Sequence, residues 1–170
     1  MRRTKLDRID RQILSDLQDN GRMTNVELAQ RAGISAPPCL RRVRALEESG
    51  YIKGYHAEVD EKILGYGVTV FAFVGLKSQA KTDLVNFEEK VNSWPLVREC
   101  HMLQGETDFL LKIVARDMES YNRFLTEELT EEENVAHVRS AQGIHVSKRS
   151  FGVPIDLGEE DDPVYDGSSE

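Results

Sequence analysis

The fold of the N-terminal half is decided by the stretch Leu28-Ala29-Gln30-Arg31-Ala32-Gly33-Ile34-Ser35-Ala36-Pro37-Pro38-Cys39-Leu40-Arg41-Arg42-Val43-Arg44. Gly33 favours the left-handed backbone that ends a helix, and Ser35 is a preferred residue at the start of the next helix. Pro37 and Pro38 then fall in the first helical turn, where their missing N–H groups cost little. Two helices separated by about three residues are typical of a helix-turn-helix.

Two helices are predicted from the residues around this stretch. Thr24-x-x-Glu27 is a capping box that opens the helix ending near Gly33. An earlier helix, with Asp7 or Thr4 as its cap, is stopped by Asn20-Gly21 and is predicted from apolar residues at helical spacing: Leu6, Ile9, Ile13, Leu14 and Leu17. The N-terminal module is therefore predicted to be a three-helix DNA-binding domain, followed by an extended segment over 51–59 that forms a wing or a linking strand.

The helix that begins at Ser35 has the pattern of a recognition helix. Its apolar residues Cys39, Val43 and Leu46 share one side at about 100° per residue, and its three arginines lie on the other side. Such a helix suits a DNA groove, although an ordinary solvated face is the alternative. Its first turn offers bases few hydrogen-bonding side chains, which favours recognition of DNA shape over direct base contacts. The predicted DNA-binding residues are Ser35, Ala36, Pro37, Pro38, Arg41, Arg42 and Arg44.

The second half alternates strand and helix patterns in the order β-α-β-β-α-β, which predicts a ferredoxin-like α+β domain. Strands are predicted over 68–76, 97–103, 109–114 and 135–146, and helices over 83–92 and 118–129. The first strand is apolar on both faces, because Phe71 and Phe73 alternate with Val70 and Val74. Two helices cover only one face of such a sheet, so a second copy of the chain is expected on the other face.

Charge is unevenly divided between the two modules. The chain has 170 residues and a net charge of −8, which taken whole argues weakly against a nucleic-acid partner. Residues 1–55 carry eleven Lys/Arg and seven Asp/Glu, a net charge of +4, whereas residues 56–170 carry a net charge of −12. We predict a DNA-binding domain over 1–55, a linker over 56–66, an effector-binding and oligomerisation domain over 67–150, and an acidic, disordered tail over 151–170.

The sequence carries none of the usual marks of an enzyme, a metal site or a membrane protein. It has no Gly-rich phosphate loop, nucleophile elbow, Cys-x-x-Cys or His-Glu-x-x-His motif. No apolar run is long enough to span a membrane, and the N-terminus does not resemble a secretory signal. Only Cys39 and Cys100 are present, which fits a reducing cytoplasm. We therefore expect a cytoplasmic protein without catalytic activity, metal or cofactor.

The two modules together resemble the Lrp/AsnC (feast/famine) family of transcription regulators. The residues that carry the resemblance in the first half are Leu6-Asp7-x-x-Asp10-x-x-Ile13-Leu14, Leu28-Ala29-x-x-Ala32-Gly33-Ile34-Ser35, Cys39-Leu40-Arg41-Arg42-Val43-x-x-Leu46-Glu47-x-x-Gly50-Tyr51-Ile52 and Gly54-Tyr55. In the second half they are Val97-x-Glu99-Cys100 and Gly105-x-x-Asp108-Phe109-Leu110-Leu111. The resemblance implies binding to double-stranded DNA, assembly into homodimers and often octamers, and an amino-acid effector bound near the Gly-x-x-Asp turn between dimers.

Carried onto this chain, the resemblance places Leu103, Gly105, Thr107 and Asp108 in the effector site, with Ser140 and Gln142 as weaker candidates. The residue types are compatible with this assignment. Backbone N–H groups of a Gly turn hold carboxylates, and a carboxylate such as Asp108 receives an ammonium group. The expected mechanism is a change in the assembly of dimers, and hence in DNA affinity, when the effector binds.

Two other functions remain open at this point. One is an enzyme, because siroheme decarboxylases resemble members of the same superfamily. The residues that such an enzyme would use in this chain are His101, His137, Arg139 and His145. The intact arginine-bearing helix argues against this alternative. The other alternative is an amino-acid sensor that contacts a protein and has no salt-sensitive DNA binding.

Overall fold

The computed structural model describes residues 5–158, which divide into two compact units. One unit combines the residues up to Glu58 with those from Arg149 onward, and the other spans Val59–Lys148. The predicted linker over 56–66 is divided between the two units, and residues 151–158 of the predicted tail belong to the first unit, whereas the rest of that tail lies outside the described residues. Residues 59–66 belong to the second unit, and the chain returns to the first unit after Lys148.

The first unit contains three helices, α1 (Arg8–Asp19), α2 (Asn25–Ala32) and α3 (Ala36–Glu48). Local hydrogen bonds fix the starts of α1 and α2, because each begins with a reciprocal capping box. Asp7 and Asp10 form the box of α1, and Thr24 and Glu27 form that of α2. The amphipathic sides of the helices meet in one core whose fully buried members are Ile13, Leu28, Ala29, Cys39 and Leu46.

The second unit is a four-stranded antiparallel sheet with two helices, as the sequence predicts. Its elements are β1 (Val68–Leu76), α4 (Lys81–Asn92), β2 (Val97–Met102), β3 (Phe109–Ala115), α5 (Met118–Phe124) and β4 (Val135–Gly143). The strand order is β2-β3-β1-β4, which is the ferredoxin-like order. Helix residues Phe87, Val91 and Tyr121 share a core with the inward residues of β1 and β3, so one sheet face carries the core.

Aromatic rings form the centre of this core. The Phe87 ring centroid lies 4.8 Å from that of Phe109 and 6.0 Å from that of Trp94, and the Trp94 ring meets Phe124 edge-on at 5.4 Å. Offset and edge-on pairs of this kind stabilise a core beyond the area that they bury. The rings join α4, the turn after it, β3 and α5 into one body.

The structure differs from the sequence-based predictions in three places: one predicted strand is missing and two predicted elements end differently. No strand forms between α3 and β1 in the described residues, so the expected wing or linking strand over 51–59 is absent from this chain. β4 ends at Gly143, which leaves His145 outside it. The helix predicted over 118–129 changes at Leu125 to a π-helical turn that runs to Leu129. This wider turn brings Phe124 and Leu129, five residues apart, to the same buried side.

Candidate DNA interface and effector site

The turn between α2 and α3 is held by both backbone and side-chain bonds. Gly33 adopts φ 69°, in the left-handed region, and the Ile34 N–H donates to the Ala29 carbonyl at 3.0 Å. The Asn25 side chain donates to the Ala36 carbonyl at 2.8 Å, which links the first turn of α2 to the first turn of α3. This bond fixes the start of α3 relative to α2, and sequence reasoning missed it because the two residues are eleven positions apart.

α3 presents an exposed basic stripe. Pro37, Arg41 and Arg44 recur at helical spacing and are exposed, as is Ser35 at the N-cap, whose hydroxyl makes no capping bond. Pro38 and Ala36 are half-buried. Across the described part of the chain, no carboxylate forms an ion pair with Arg41 or Arg44. Their guanidinium groups are therefore available to a partner.

Arg42, one of the predicted DNA-binding residues, forms ion pairs within the chain. Its guanidinium donates to Asp7 and to Asp10, each at 2.7 Å, and so bridges both members of the capping box of α1. Burial opposes the effect, but the Asp10 N–H and the Arg42 charge together hold the pKa of Asp7 below its usual value. Arg42 attaches α3 to the start of α1. The pairing was missed because it spans more than thirty residues.

A second charge pair attaches α2 to α1. Asp16 is 1% exposed and accepts from Nε and a terminal nitrogen of Arg31, both at 2.8 Å, and from Gln12 at 3.0 Å. The pair thus joins the buried carboxylate of Asp16 on α1 to the largely exposed side chain of Arg31 on α2. Cys39 is also buried as expected, and burial raises the pKa of its thiol.

The turn between β2 and β3 contains the predicted effector residues. It is closed by the Leu103 N–H, which donates to the Asp108 carbonyl at 2.7 Å. Leu103 and Gly105 are exposed, and Thr107 is half-buried. A side chain added at Gly105 would meet open space, so the outer side of this turn is accessible.

Asp108 is buried and points away from this accessible side. One carboxylate oxygen accepts the Leu76 N–H at 2.7 Å, and the other accepts from the Gln79 side chain at 2.8 Å. Both oxygens thus already hold the end of β1 and the loop after it. The Asp108 carboxylate therefore stabilises the turn from its buried side. Sequence reasoning did not identify Gln79 as its partner.

Ser140 and Gln142 lie apart from the turn within one chain. Both are on β4, which pairs only with β1, whereas the turn joins β2 to β3. Ser140 lies opposite Ala72, and its hydroxyl shares a hydrogen bond with that of the buried Tyr121. Gln142 lies opposite Val70, two residue pairs further from the end of the sheet that carries the turn. The structure does not bring the two predicted groups together in one protomer.

The sheet face opposite the helices carries the remaining candidate residues. Phe71, Phe73 and Leu110 are half-buried there, and the Arg139 guanidinium lies 4.7 Å from the Phe73 ring centroid. Lys112 donates to Glu99 at 2.7 Å, and this bond lowers the pKa of Glu99, with a smaller contribution from His101. We call this surface the outer sheet face; it includes Phe71, Phe73, Glu99, His101, Leu110, Lys112, Val114, His137 and Arg139.

The described residues meet neither the requirements of a metal site nor those of a membrane span. Within residues 5–158, no group of three or more His, Cys, Asp or Glu side chains is placed to hold a metal ion. No helix in that range is long and apolar enough to cross a membrane.

A cavity of about 140 Å³ lies between the end of α4 and β2, and its lining includes Val91, Trp94 and Cys100 but no residue of the β2–β3 turn.

Comparisons with known proteins agree with both units. The model of a winged helix-turn-helix DNA-binding domain matches residues 6–53, and the model of the Lrp/AsnC ligand binding domain matches residues 69–151. The chain is 53% identical to the leucine-responsive regulatory protein of Rhizobium meliloti (strain 1021), over 90% of this chain and 98% of that protein. It is 44% identical to the Bkd operon transcriptional regulator of Pseudomonas aeruginosa, over 81% and 90% of the two chains.

Solved structures show the same architecture. A transcriptional regulator of Neisseria meningitidis, determined as a complex with L-Met, matches with a TM-score of 0.85 and 35% identity, over 89% of this chain and 97% of that one. The structure of Escherichia coli AsnC matches with a TM-score of 0.79 and 26% identity, over 88% and 99%. With its helix-turn-helix, its ferredoxin-like domain and relatives aligned over nearly their whole length, the chain belongs to the Lrp/AsnC family of transcriptional regulators.

Proposed function

We propose that this protein is a cytoplasmic, non-enzymatic regulator that binds double-stranded DNA through α3 and responds to an amino acid bound at the β2–β3 turn. The observation that carries the proposal is the exposed basic stripe of α3, whose Arg41 and Arg44 have no carboxylate partner in the described residues. Contacts with α1 and α2 hold α3 in place. A helix that is held by its neighbours and presents free guanidinium groups suits the major groove of DNA.

The proposed DNA contacts differ from the sequence-based set at one position. Arg41 and Arg44 bind phosphates or guanine, and Ser35 and Pro37 approach the bases, with Ala36 and Pro38 packed behind them. Arg42 is withdrawn from this set because Asp7 and Asp10 hold it. Since the first turn of α3 offers one hydroxyl and no amide side chain, DNA shape supplies much of the selectivity.

We further propose a homodimer in which two copies pair through the outer sheet face. The support is the half-buried Phe71 and Phe73 at the centre of this face, with charged side chains around them. A two-fold pair would cover this apolar centre and would give the two half-site contacts that a helix-turn-helix protein uses. Further association of dimers into octamers is part of the same proposal.

For the effector, we propose an amino acid held by Leu103, Gly105 and Thr107. Asp108 keeps the turn in shape, and its carboxylate is not the first contact for an ammonium group because it already accepts two hydrogen bonds. The relative solved with L-Met supports this ligand class. Ser140 and Gln142 join the site only if a second copy contributes them, because in one chain they lie on the far strand.

The test combines two measurements on the full chain. Light scattering gives the mass of the assembly, and binding to genomic DNA fragments gives affinity, each with and without a panel of the standard amino acids. We expect salt-sensitive DNA binding and at least one amino acid that changes mass or affinity. Binding without salt dependence would contradict the DNA contacts, and the absence of any effective amino acid would contradict the effector.

The enzyme alternative has its own measurement. A tetrapyrrole enzyme would bind haem or siroheme stoichiometrically and be coloured when purified. We expect a colourless protein that does not shift the absorption of added haem from that of free haem, since His101 and Arg139 lie on the outer sheet face that we assign to the dimer.

A further inference from the structure

Asp108 is the point at which several segments of the second unit meet. Its backbone N–H donates to the Val74 carbonyl at 3.0 Å, and its backbone carbonyl accepts the Leu103 N–H at 2.7 Å. Its two carboxylate oxygens accept the Leu76 N–H at 2.7 Å and the Gln79 side chain at 2.8 Å. The end of β1 and the loop that follows it therefore set the position of the β2–β3 turn.

Gln79 is the one side chain among these four partners, because the other three contribute main-chain atoms. A main-chain bond is available to almost any sequence, whereas this bond needs an N–H donor at the end of a side chain. The Asp108 carboxylate is 9% exposed, and no Lys, Arg or His within residues 5–158 forms an ion pair with it. A buried charge that has only neutral donors depends strongly on each of them.

The loop that carries Gln79 is itself fixed by a second set of bonds. The Asn134 side chain accepts the Ser78 N–H at 3.2 Å and donates to the Ser78 carbonyl at 3.3 Å, so one amide holds both backbone groups of the preceding residue. The Asn134 carbonyl accepts the Lys77 N–H at 2.8 Å. Gln79 is exposed, yet these bonds hold the loop at the place from which its amide reaches Asp108.

We propose that Gln79 is a positioning residue for the effector and that it acts through Asp108 without touching the ligand. By holding the Asp108 carboxylate, the Gln79 amide keeps the β2–β3 turn in the shape that binds an amino acid. Effector affinity then depends on a loop that contributes no contact to the effector. The inference rests on the proposed effector site and adds to it a residue that lies outside the Gly-x-x-Asp pattern.

A direct contact with the effector is the alternative role for these two side chains. If the Gln79 amide or the Asp108 charge touched the ligand, each group would be needed at its own position. If the pair only holds the turn, the bond between the two side chains is needed, but its direction is not. Exchanging the amide and the carboxylate between the two positions separates these two cases.

The exchanged pair is Gln79→Glu combined with Asp108→Asn, and both substitutions preserve side-chain shape. The amide at position 108 keeps an oxygen for the Leu76 N–H and donates its own N–H to the carboxylate at position 79, which rebuilds the bond in the opposite direction at the same net charge. Gln79→Glu alone places two carboxylates at hydrogen-bond distance, where like charges repel. Gln79→Leu removes the donor without adding charge. Asn86→Asp, at an exposed position of α4, is the control for the added charge.

Hydrogen exchange measures the shape of the turn without any ligand. The Leu76 and Leu103 amides both donate to Asp108, so their exchange rates report whether the turn is closed. We expect both amides to exchange roughly tenfold faster in Gln79→Glu and Gln79→Leu, because a hydrogen bond to a buried charge is lost. Amides in the centres of β1 and β3 show in the same measurement that each variant is folded.

The exchanged pair and the control complete this measurement. We expect the exchanged pair to recover the natural exchange rates at both amides, and Asn86→Asp to keep them. Natural rates in both single Gln79 variants would show that the side chain does not hold the turn. Fast exchange in a folded exchanged pair would show that the rebuilt bond is not what matters. Either result overturns the proposal.

Calorimetric titration measures the effect on the ligand site, with L-methionine as the probe because a solved relative was determined as a complex with it. We expect both single variants to bind L-methionine roughly tenfold more weakly and the exchanged pair to regain the natural affinity. An exchanged pair that recovers its amide exchange but not its affinity would show that the amide or the charge contacts the effector, which overturns the proposal. A natural chain that binds no standard amino acid would contradict the proposed effector site, while hydrogen exchange would still decide whether Gln79 holds the turn.

Discussion

At the scale of single residues, the three arginines of α3 carry the same charge in different surroundings. Arg41 and Arg44 extend from the helix with no carboxylate partner in residues 5–158, whereas Arg42 bridges Asp7 and Asp10. Free guanidinium groups are the ones that replace counterions on DNA, and paired ones stabilise the fold. The pairing therefore separates Arg41 and Arg44, which we propose to bind DNA, from Arg42, which positions the helix.

Alanine substitution tests this separation. Arg41→Ala is expected to weaken DNA binding and to reduce the slope of log affinity against log salt by about 1, with little change in stability. Arg42→Ala is expected to keep the salt slope and to lower the free energy of unfolding by about 1 kcal/mol, because the pair is partly exposed. Salt titrations of DNA binding and urea unfolding measure the two effects. A reduced salt slope in Arg42→Ala would return this residue to the DNA interface.

For the ion pair of Asp16 with Arg31 we expect a larger effect on stability, because the Asp16 carboxylate is buried. Arg31→Ala leaves the buried Asp16 carboxylate with the hydrogen bond from the Gln12 side chain but without its cationic partner. We expect a loss of about 2 kcal/mol in the free energy of unfolding, because an uncompensated buried charge is costly. Arg22→Ala removes an equal charge from an exposed position nearby and should change stability by less than about 0.5 kcal/mol. Equal effects of the two substitutions in urea unfolding would rule out this account.

At the scale of elements, the turn between α2 and α3 depends on the backbone of Gly33. Its φ of +69° disfavours any other residue, yet an added Cβ would meet nothing within 4 Å. Gly33→Ala should therefore cost about 1 kcal/mol from the backbone alone and leave the packing of α3 intact. Thermal unfolding should show a lower Tm, and DNA affinity should be unchanged well below that temperature. A loss of DNA affinity in the folded protein would mean that the turn also sets the orientation of α3.

Elements were predictable from the sequence where their causes are local. The capping box at Thr24 and the stop at Gly33 act within a few residues, and Asp7 was one of two caps expected for α1, although its capping box with Asp10 was not foreseen. The strands follow from their apolar runs. The partners of Arg42 and Asp108 were not predictable, because each contact joins segments about thirty residues apart that only the folded chain brings together. The π-helical turn at Leu125 was missed for a related reason, since the burial of Leu129 against the sheet determines it.

At the scale of the whole molecule, the apolar centre of the outer sheet face leads us to expect a homodimer that pairs through this face. Phe73→Glu would place two carboxylates close to the two-fold axis of the proposed dimer, where like charges repel. We expect sedimentation to report a monomer, and DNA affinity to fall because two half-sites are no longer bound together. Val85→Glu introduces the same charge at an exposed position on α4 and should leave the mass unchanged. A Phe73→Glu protein with the natural mass would exclude this face as the interface.

The two prolines that open α3 have a consequence for how the protein moves on DNA. A helix N-terminus ordinarily offers fixed backbone N–H groups that lock onto one phosphate. Pro37 and Pro38 have none, and the Cys39 N–H is already bonded to the Ser35 carbonyl at 3.2 Å. In the DNA complex that we propose, fewer backbone donors remain at this end of α3, so attachment depends mainly on the long, flexible side chains of Arg41 and Arg44, which can exchange phosphates one at a time. Such a protein is suited to sliding along a duplex in search of a favourable shape.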